Sequence, residues 1–152
     1  MRLNLNADLG ESFGAWTMGD DAALLGYLDS ANVACGFHAG DPSVMNETVR
    51  RAREDGVGIG AHPAFPDLQG FGRREMSVGD EELAALVQYQ IGALSAFCRR
   101  HDTPLAHVKP HGALNNLACE DRRLADVIAS AVHAVDPALI PSRSRVGCQT
   151  SS

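Results

Sequence analysis

Short runs of alternating apolar and polar residues are separated by segments in which apolar residues recur every three or four positions. Leu3, Leu5 and Ala7 alternate with Asn4, Asn6 and Asp8, which predicts a first strand with one apolar and one polar face. Asp20 or Asp21 then caps a short helix carrying Leu24, Leu25 and Leu28. Residues 31–35 form a second strand. Asp41-Pro42 opens the next helix as N-cap and N1, with Val44, Met45, Thr48, Val49 and Ala52 on one face and Gly56 as its stop. Residues 57–61 form a third strand. Ser77 fits the N-cap of a long helix with Asp80 and Glu81 in its first turn. Leu83, Leu86, Val87, Gln90, Ile91, Leu94, Phe97 and Cys98 share its face, and it ends before Pro104. Residues 105–108 form a fourth strand, and Leu124, Val127, Ile128, Ala131 and Val132 mark a further helix. Residues 138–140 begin a fifth strand. Beyond them the pattern stops: residues 141–152 hold Val146 as their only aliphatic residue and are expected to be a disordered tail.

Strand followed by helix, four times over, predicts a parallel α/β fold with right-handed crossovers. Asn4, Asn6 and Asp8 share one side of the first strand, Gly58, Gly60 and His62 one side of the third, and His107 and Lys109 one side of the fourth. Leu3, Leu5, Val57, Ile59 and Val108 occupy the opposite sides and suit packing under helices. A doubly wound sheet, covered on both faces, would read apolar on both. One polar face therefore favours a parallel β/α barrel, with four to five βα units present in residues 1–140. Such a barrel takes about 250 residues, so the chain is expected to be a truncated piece lacking roughly its last 100.

A net charge of −6 argues against nucleic acid or an anionic membrane as a partner. The N-terminus shows no secretory h-region, no stretch is long and apolar enough to span a membrane, and the four cysteines form no CxxC pair. The expectation is a cytoplasmic protein with reduced, mostly buried thiols.

The chemistry gathers where strands end. Those ends deliver Asp8 and Glu11, His38 and Asp41, His62 and Asp67, and Lys109 and His111. Carboxylates, imidazoles and an amine on one rim are the material of acid–base catalysis. His62 and His111 each follow a strand and adjoin a proline that fixes the backbone. Lys109, ending an apolar strand, requires an anionic partner or a lowered pKa: a phosphate, a substrate carboxylate or Asp8 would serve. His107 fits a hydrogen-bonded core position as well as a site, while His101 and His133 read as surface residues. Asp41 reads as an N-cap more readily than as a catalyst, because Pro42 follows it. The stretch Gly70-Phe71-Gly72-Arg73-Arg74 could cradle an anion with backbone N–H groups and a guanidinium, although it lacks the ending of a Walker loop. Asp8, His38 and His62 could form a metal set, unsupported by any HxxxH or HExxH motif on a helix, which leaves the metal question open. Phe65 and the QGFGRR loop are expected to close over the room left by Gly58 and Gly60.

LNADLGESFG at 5–14, SANVACGFHAGDP at 30–42, GIGAHPAFPDLQGFGRR at 58–74 and HVKPHGALNN at 107–116 resemble the LamB/YcsF family over about residues 1–140. The resemblance implies a β/α barrel of the glycoside hydrolase/deacetylase type, related to the polysaccharide deacetylases. It implies ATP-coupled opening of the 5-oxoproline lactam to L-glutamate, with Mg2+ as the nucleotide's counter-ion, in a complex with two further subunits, B and C. The family pattern commonly reads Tyr-Asn where this chain has Asn115-Asn116, and the stretch after Ile140 departs from it. On this reading Asp8 and His62 are the candidate base pair, His111 a donor to the developing oxyanion, and Lys109 with Arg73 or Arg74 the grip on phosphate or carboxylate. Asn6, Glu11, His38 and Asp41 are further candidate binding residues. A stand-alone metal-dependent deacetylase or amidase, and an inactive fragment or structural subunit, are the alternative readings.

Overall fold

The computed structural model describes residues 4–141. Five strands, β1 (Asn6–Leu9), β2 (Ser30–Ala34), β3 (Gly58–His62), β4 (Leu105–Val108) and β5 (Ile140–Pro141), form one parallel sheet in the order β1-β2-β3-β4-β5. Each strand lies beside its predecessor, without the reversal that defines a doubly wound sheet, so the order is that of an incomplete barrel. Helices α1 (Asp21–Leu25), α2 (Pro42–Glu54), α3 (Asp80–Arg100), α4 (Gly112–Glu120) and α5 (Arg122–Val135) fill the connections.

The strand alternation becomes two kinds of row across the sheet. Ala7, Ala31, Ile59 and Leu105 are in register, as are Leu9, Val33, Ala61 and Val108. These apolar rows carry the core, with α2 packed on β2 and β3, α3 on β3 and β4, and α5 on α3. Between them run the small and polar rows, Asn6–Ser30–Gly58 and Asp8–Asn32–Gly60–His107. An irregularity between Ile59 and Gly60 in the β3–β4 pairing brings His107 opposite Gly60.

Helix starts follow side-chain chemistry. Asp20 caps α1 by accepting from Ala23 N, and Asp41 caps α2 by accepting from Ser43 N and Val44 N, with Pro42 at N1. Gly56, at φ 69°, follows α2 in the left-handed region. Ser77 does not cap α3. The helix begins three residues later behind Gly79, without a side-chain cap, and Asp80, Glu81 and Glu82 balance its exposed N–H groups.

Three other expectations change. Leu5 is 55% exposed, because it precedes β1 and lies outside the helix-covered rows. Helix α4 fills a stretch to which the apolar spacing assigned no element, with Ala113 and Leu114 buried on its inner side. Pro141 pairs with Val108 rather than opening the tail. Leu3, Cys148 and the expected tail over 142–152 lie outside the described residues. No helix among the described residues is long and apolar enough to cross a membrane.

Candidate functional site

The polar row Asp8–Asn32–Gly60–His107 is hydrogen-bonded from end to end. His107 Nε2 lies 2.8 Å from Asn32 Oδ1, and Asn32 Nδ2 donates to Asp8 Oδ1 at 2.9 Å and to Asn6 Oδ1 at 3.1 Å. Because the Asn32 amide nitrogen is the donor on the Asp8 side, its oxygen accepts from His107 Nε2–H. Gly60 is what lets the ring span β3, since a Cβ there would sit 2.1 Å from His107 Nε2. The room at Gly60 is thus filled by an imidazole rather than left open to the lumen. Burial first, then neighbouring His62 and Lys109, lower the His107 pKa and favour the neutral ring.

At the end of this row Asp8 meets the rim. Lys109 Nζ donates to Asp8 Oδ1 at 2.9 Å, and His62 Nε2 lies 3.3 Å from Oδ2. The anionic partner that Lys109 requires is therefore Asp8. Burial alone would raise the Asp8 carboxyl. His62, and after it Lys109, outweigh burial and hold the group well below the usual carboxylate range. The Asp8 and Lys109 side chains are 35% and 22% exposed, whereas His62 behind them is 1% exposed. A molecule arriving at the rim meets the ion pair before the histidine.

Behind the pair sits an imidazole cluster. His62 Nδ1–H donates to the Lys109 carbonyl at 2.6 Å, and His111 Nε2–H donates to the Phe71 carbonyl at 2.8 Å. His111 Nδ1 faces His62 Nε2 at 3.1 Å. His38 stacks on His111 with ring centroids 3.9 Å apart, and its Nε2 lies 3.1 Å from Glu11 Oε1. Phe71 closes the cluster edge-on to both His38 and His111. Burial, aided by neighbouring His38 and His62, pushes His111 down to about 4, and burial lowers His38 despite Glu11. Since its Nε2–H is already given to Phe71, His111 is not available as the expected donor to an oxyanion. The set that converges is Glu11, His38, His62 and His111, not the expected Asp8, His38 and His62.

The LamB/YcsF family model matches residues 3–150. This chain belongs to the LamB/YcsF family. The match runs past Ile140, where the resemblance was expected to stop. A relative from Azoarcus sp., named as the A subunit of 5-oxoprolinase, is 61% identical over 140 residues, covering 92% of this chain and 55% of the relative. One of the same name from Bacillus subtilis is 53% identical, covering 99% of this chain and 63% of the relative. The crystal structure of a lactam utilization protein from Thermus thermophilus superposes with a TM-score of 0.90 at 57% identity, covering 91% of this chain and 56% of that one. The chain thus spans little more than half the length of these relatives.

The remaining motif residues of this LamB/YcsF chain are structural in the described residues. The GFGRR loop does cradle an anion, but the anion is the chain's own Asp67. Asp67 Oδ1 accepts from Gly70 N, Oδ2 from Arg74 N, and the Asp67 carbonyl from Gly72 N. Phe71 N and Arg73 N turn inward to Leu68 and Gly70 carbonyls, so the predicted backbone cradle is not open to a ligand. Arg74 is bound to Asp67 as well, through Nε at 2.9 Å and through Nη2. Arg73 is exposed, its guanidinium 5.5 Å from the Phe71 ring centre. Asp41 spends Oδ1 on the α2 cap and Oδ2 on Gly14 N at 2.7 Å, which ties down the loop after β1. Asn6 serves Asn32. Phe65 is buried in the core, and it is Phe71 that walls the site. Cys35 donates to the Val33 carbonyl, and burial pushes its thiol up to about 12, which suits an inert core residue.

Asn32 is a site residue that sequence reasoning missed, although it was legible as a polar residue in register with Asp8 inside an otherwise apolar strand. Phe71 was expected only as part of the loop closing over the site, because its own role as a wall depends on a turn in which residue 71 has φ 55°. A cleft lined by Glu11, Phe13, Trp16, Met18, His38 and Phe71 opens beside the cluster.

Proposed function

We propose that this chain forms part of the A component of a cytoplasmic, ATP-dependent 5-oxoprolinase and acts with subunits B and C in opening the 5-oxoproline lactam to L-glutamate. Family membership and the names of its relatives support this reading. The observation that carries it at the level of chemistry is the Asp8–Lys109 ion pair at the rim, backed by His62.

A five-membered lactam is an unreactive amide, and its hydrolysis needs a grip on the substrate's charge and a base for water. Lys109 supplies the grip. An arriving carboxylate or phosphate competes with Asp8 for the ammonium and takes it over. Asp8 then loses one of the two partners that depress its basicity and becomes able to accept a proton, while His62 holds it in place. Arg73, exposed beside Phe71, adds a second positive charge near the cleft. ATP with Mg2+ is a co-substrate of this reaction. The described residues do not fit a nucleotide triphosphate cradle, because the glycine loop spends its N–H groups on Asp67 and other internal acceptors. Phosphoryl transfer is therefore assigned no residue among those described.

The test uses a chimera in which residues 4–141 replace the corresponding half of the Azoarcus relative, assayed with subunits B and C for ATP-dependent glutamate release. Lys109→Ala and Asp8→Asn are each expected to abolish turnover in a folded chimera. Unchanged turnover in either variant would refute the assigned roles.

A further inference from the structure

We propose that Glu11, His38, His62 and His111 form a binding site for one divalent transition-metal ion of the zinc class. The inference rests on side-chain geometry and not on the lactam reading.

The decisive feature is a conflict between two rings. A carbonyl oxygen only accepts, so His62 Nδ1 and His111 Nε2 both carry hydrogens, held by the carbonyls of Lys109 and Phe71. With neither a proton nor a cation between them, the other two nitrogens would present lone pairs to each other at 3.1 Å. Two lone pairs at that distance repel unless something positive lies between or beside them. Two metal–nitrogen bonds of about 2.05 Å at a tetrahedral angle span about 3.3 Å, close to this separation.

The rest of the cluster is built to match. The four ligand atoms, one from each residue, lie within 4.8 Å of one another. His38 is 1% exposed, and its Nδ1 is a buried nitrogen with no hydrogen-bond partner among the described residues. An unpartnered buried nitrogen is costly and calls for an explanation, which a nearby ion supplies. Imidazoles whose far N–H groups are pinned by backbone carbonyls have the outer-shell arrangement usual for metal-bound histidine. Glu11, and Asp8 at 3.3 Å from His62 Nε2, provide compensating negative charge. Three imidazoles and one carboxylate select zinc, cobalt or a similar borderline ion over magnesium or calcium, which prefer oxygen. The rival occupant is a single proton shared between His62 and His111.

The 152-residue chain, stripped with a chelator, is titrated with Co2+ and then with Zn2+ by calorimetry, while visible absorption reports cobalt coordination. The expected result is one equivalent bound, with the absorption of a nitrogen-rich site that Zn2+ displaces. Circular dichroism confirms that each variant is folded. His111→Asn is expected to abolish the band and weaken binding about tenfold or more, and His101→Asn, outside the cluster, to leave both unchanged. Should His111→Asn fail to fold, Glu11→Gln at the more accessible edge is expected to weaken binding in the same sense. A folded chain that takes up neither ion overturns the proposal. So does binding unaffected by the cluster variants, or a His62–His111 shared proton seen by NMR that persists in excess Zn2+. Because binding is read directly, these outcomes are independent of whether the chimera opens a lactam.

Discussion

Replacing Gly60 with alanine tests whether the polar row is a continuous packed unit. The new Cβ would meet three atoms of one ring, His107 Nε2, Cε1 and Cδ2, at 2.1, 2.3 and 2.4 Å. A ring cannot give way like the end of a flexible chain, so His107 must rotate out of the row. Overpacking of this kind costs about 1–3 kcal/mol. Rotation also breaks the buried His107–Asn32 hydrogen bond, and the stranded amide oxygen adds about 1–3 kcal/mol. Against this, alanine restricts the unfolded chain and returns about 0.4–1 kcal/mol. The net expectation is a loss centred on about 3 kcal/mol, within bounds of about 1 and 6. Urea unfolding followed by circular dichroism measures it. The decisive comparison repeats the substitution in a His107→Ala background, where the space is vacant. There Gly60→Ala should cost less than about 1 kcal/mol, giving a coupling of about 2 kcal/mol. Equal costs in the two backgrounds would show that the ring does not occupy the glycine's space.

Three further outcomes follow from individual side chains. Asp41→Ala should lower stability by about 1–2 kcal/mol in the same urea assay, and Asp41→Asn by less, because an amide oxygen can still cap α2 while the amide nitrogen cannot accept from Gly14 N. Gln90, fully buried on the apolar face of α3, holds both the N–H and the carbonyl of Ala64 and also the Leu86 carbonyl. Gln90→Leu should cost about 2–4 kcal/mol by stranding those groups, as read from the unfolding midpoint. Asp67 is held at about 2, chiefly by Arg74, against an unfolded value of about 3.9. Its contribution is present above about pH 4 and is lost as pH falls towards 2, so the urea midpoint should drop across that window and Asp67→Asn should remove that part of the drop.

The elements were legible where periodicity and capping agreed. Asp41-Pro42 and Gly56 bracket α2 because each acts within one turn of chain. Gly79 rather than Ser77 begins α3 because Ser77 lies two residues too early, and nothing local in the sequence separates the two starts. Barrel order followed from the one-sided polarity of the strands, which the register turned into alternating rows. Leu5 misled because alternation was extended past the end of the sheet. The site residues at strand ends were legible one by one, but their partnerships were not. Asp67 reaching back into its own loop, and Asp41 reaching to Gly14, are contacts between segments whose spacing carries no period. The GFGRR motif shows the consequence. Its composition suits an external anion, and only the fold reveals that an internal carboxylate has already taken the place.

His62 is where the two halves of the site meet. Towards the rim it faces Asp8, which is bound in turn to Lys109, Asn32 and, through Asn32, His107. Away from the rim it faces His111, which stacks on His38 and so connects to Glu11. Its Nδ1 is fixed on the carbonyl of Lys109, so the backbone that positions the lysine also sets the ring's orientation. A substitution at His62 should therefore disturb both the ion pair and the imidazole cluster. Lys109→Ala removes only the ammonium and leaves the carbonyl in place, so it should disturb the rim alone. That asymmetry separates the two parts: metal binding that survives Lys109→Ala but not His62→Asn would place the ion on the inner side of the ring, away from the Asp8–Lys109 pair.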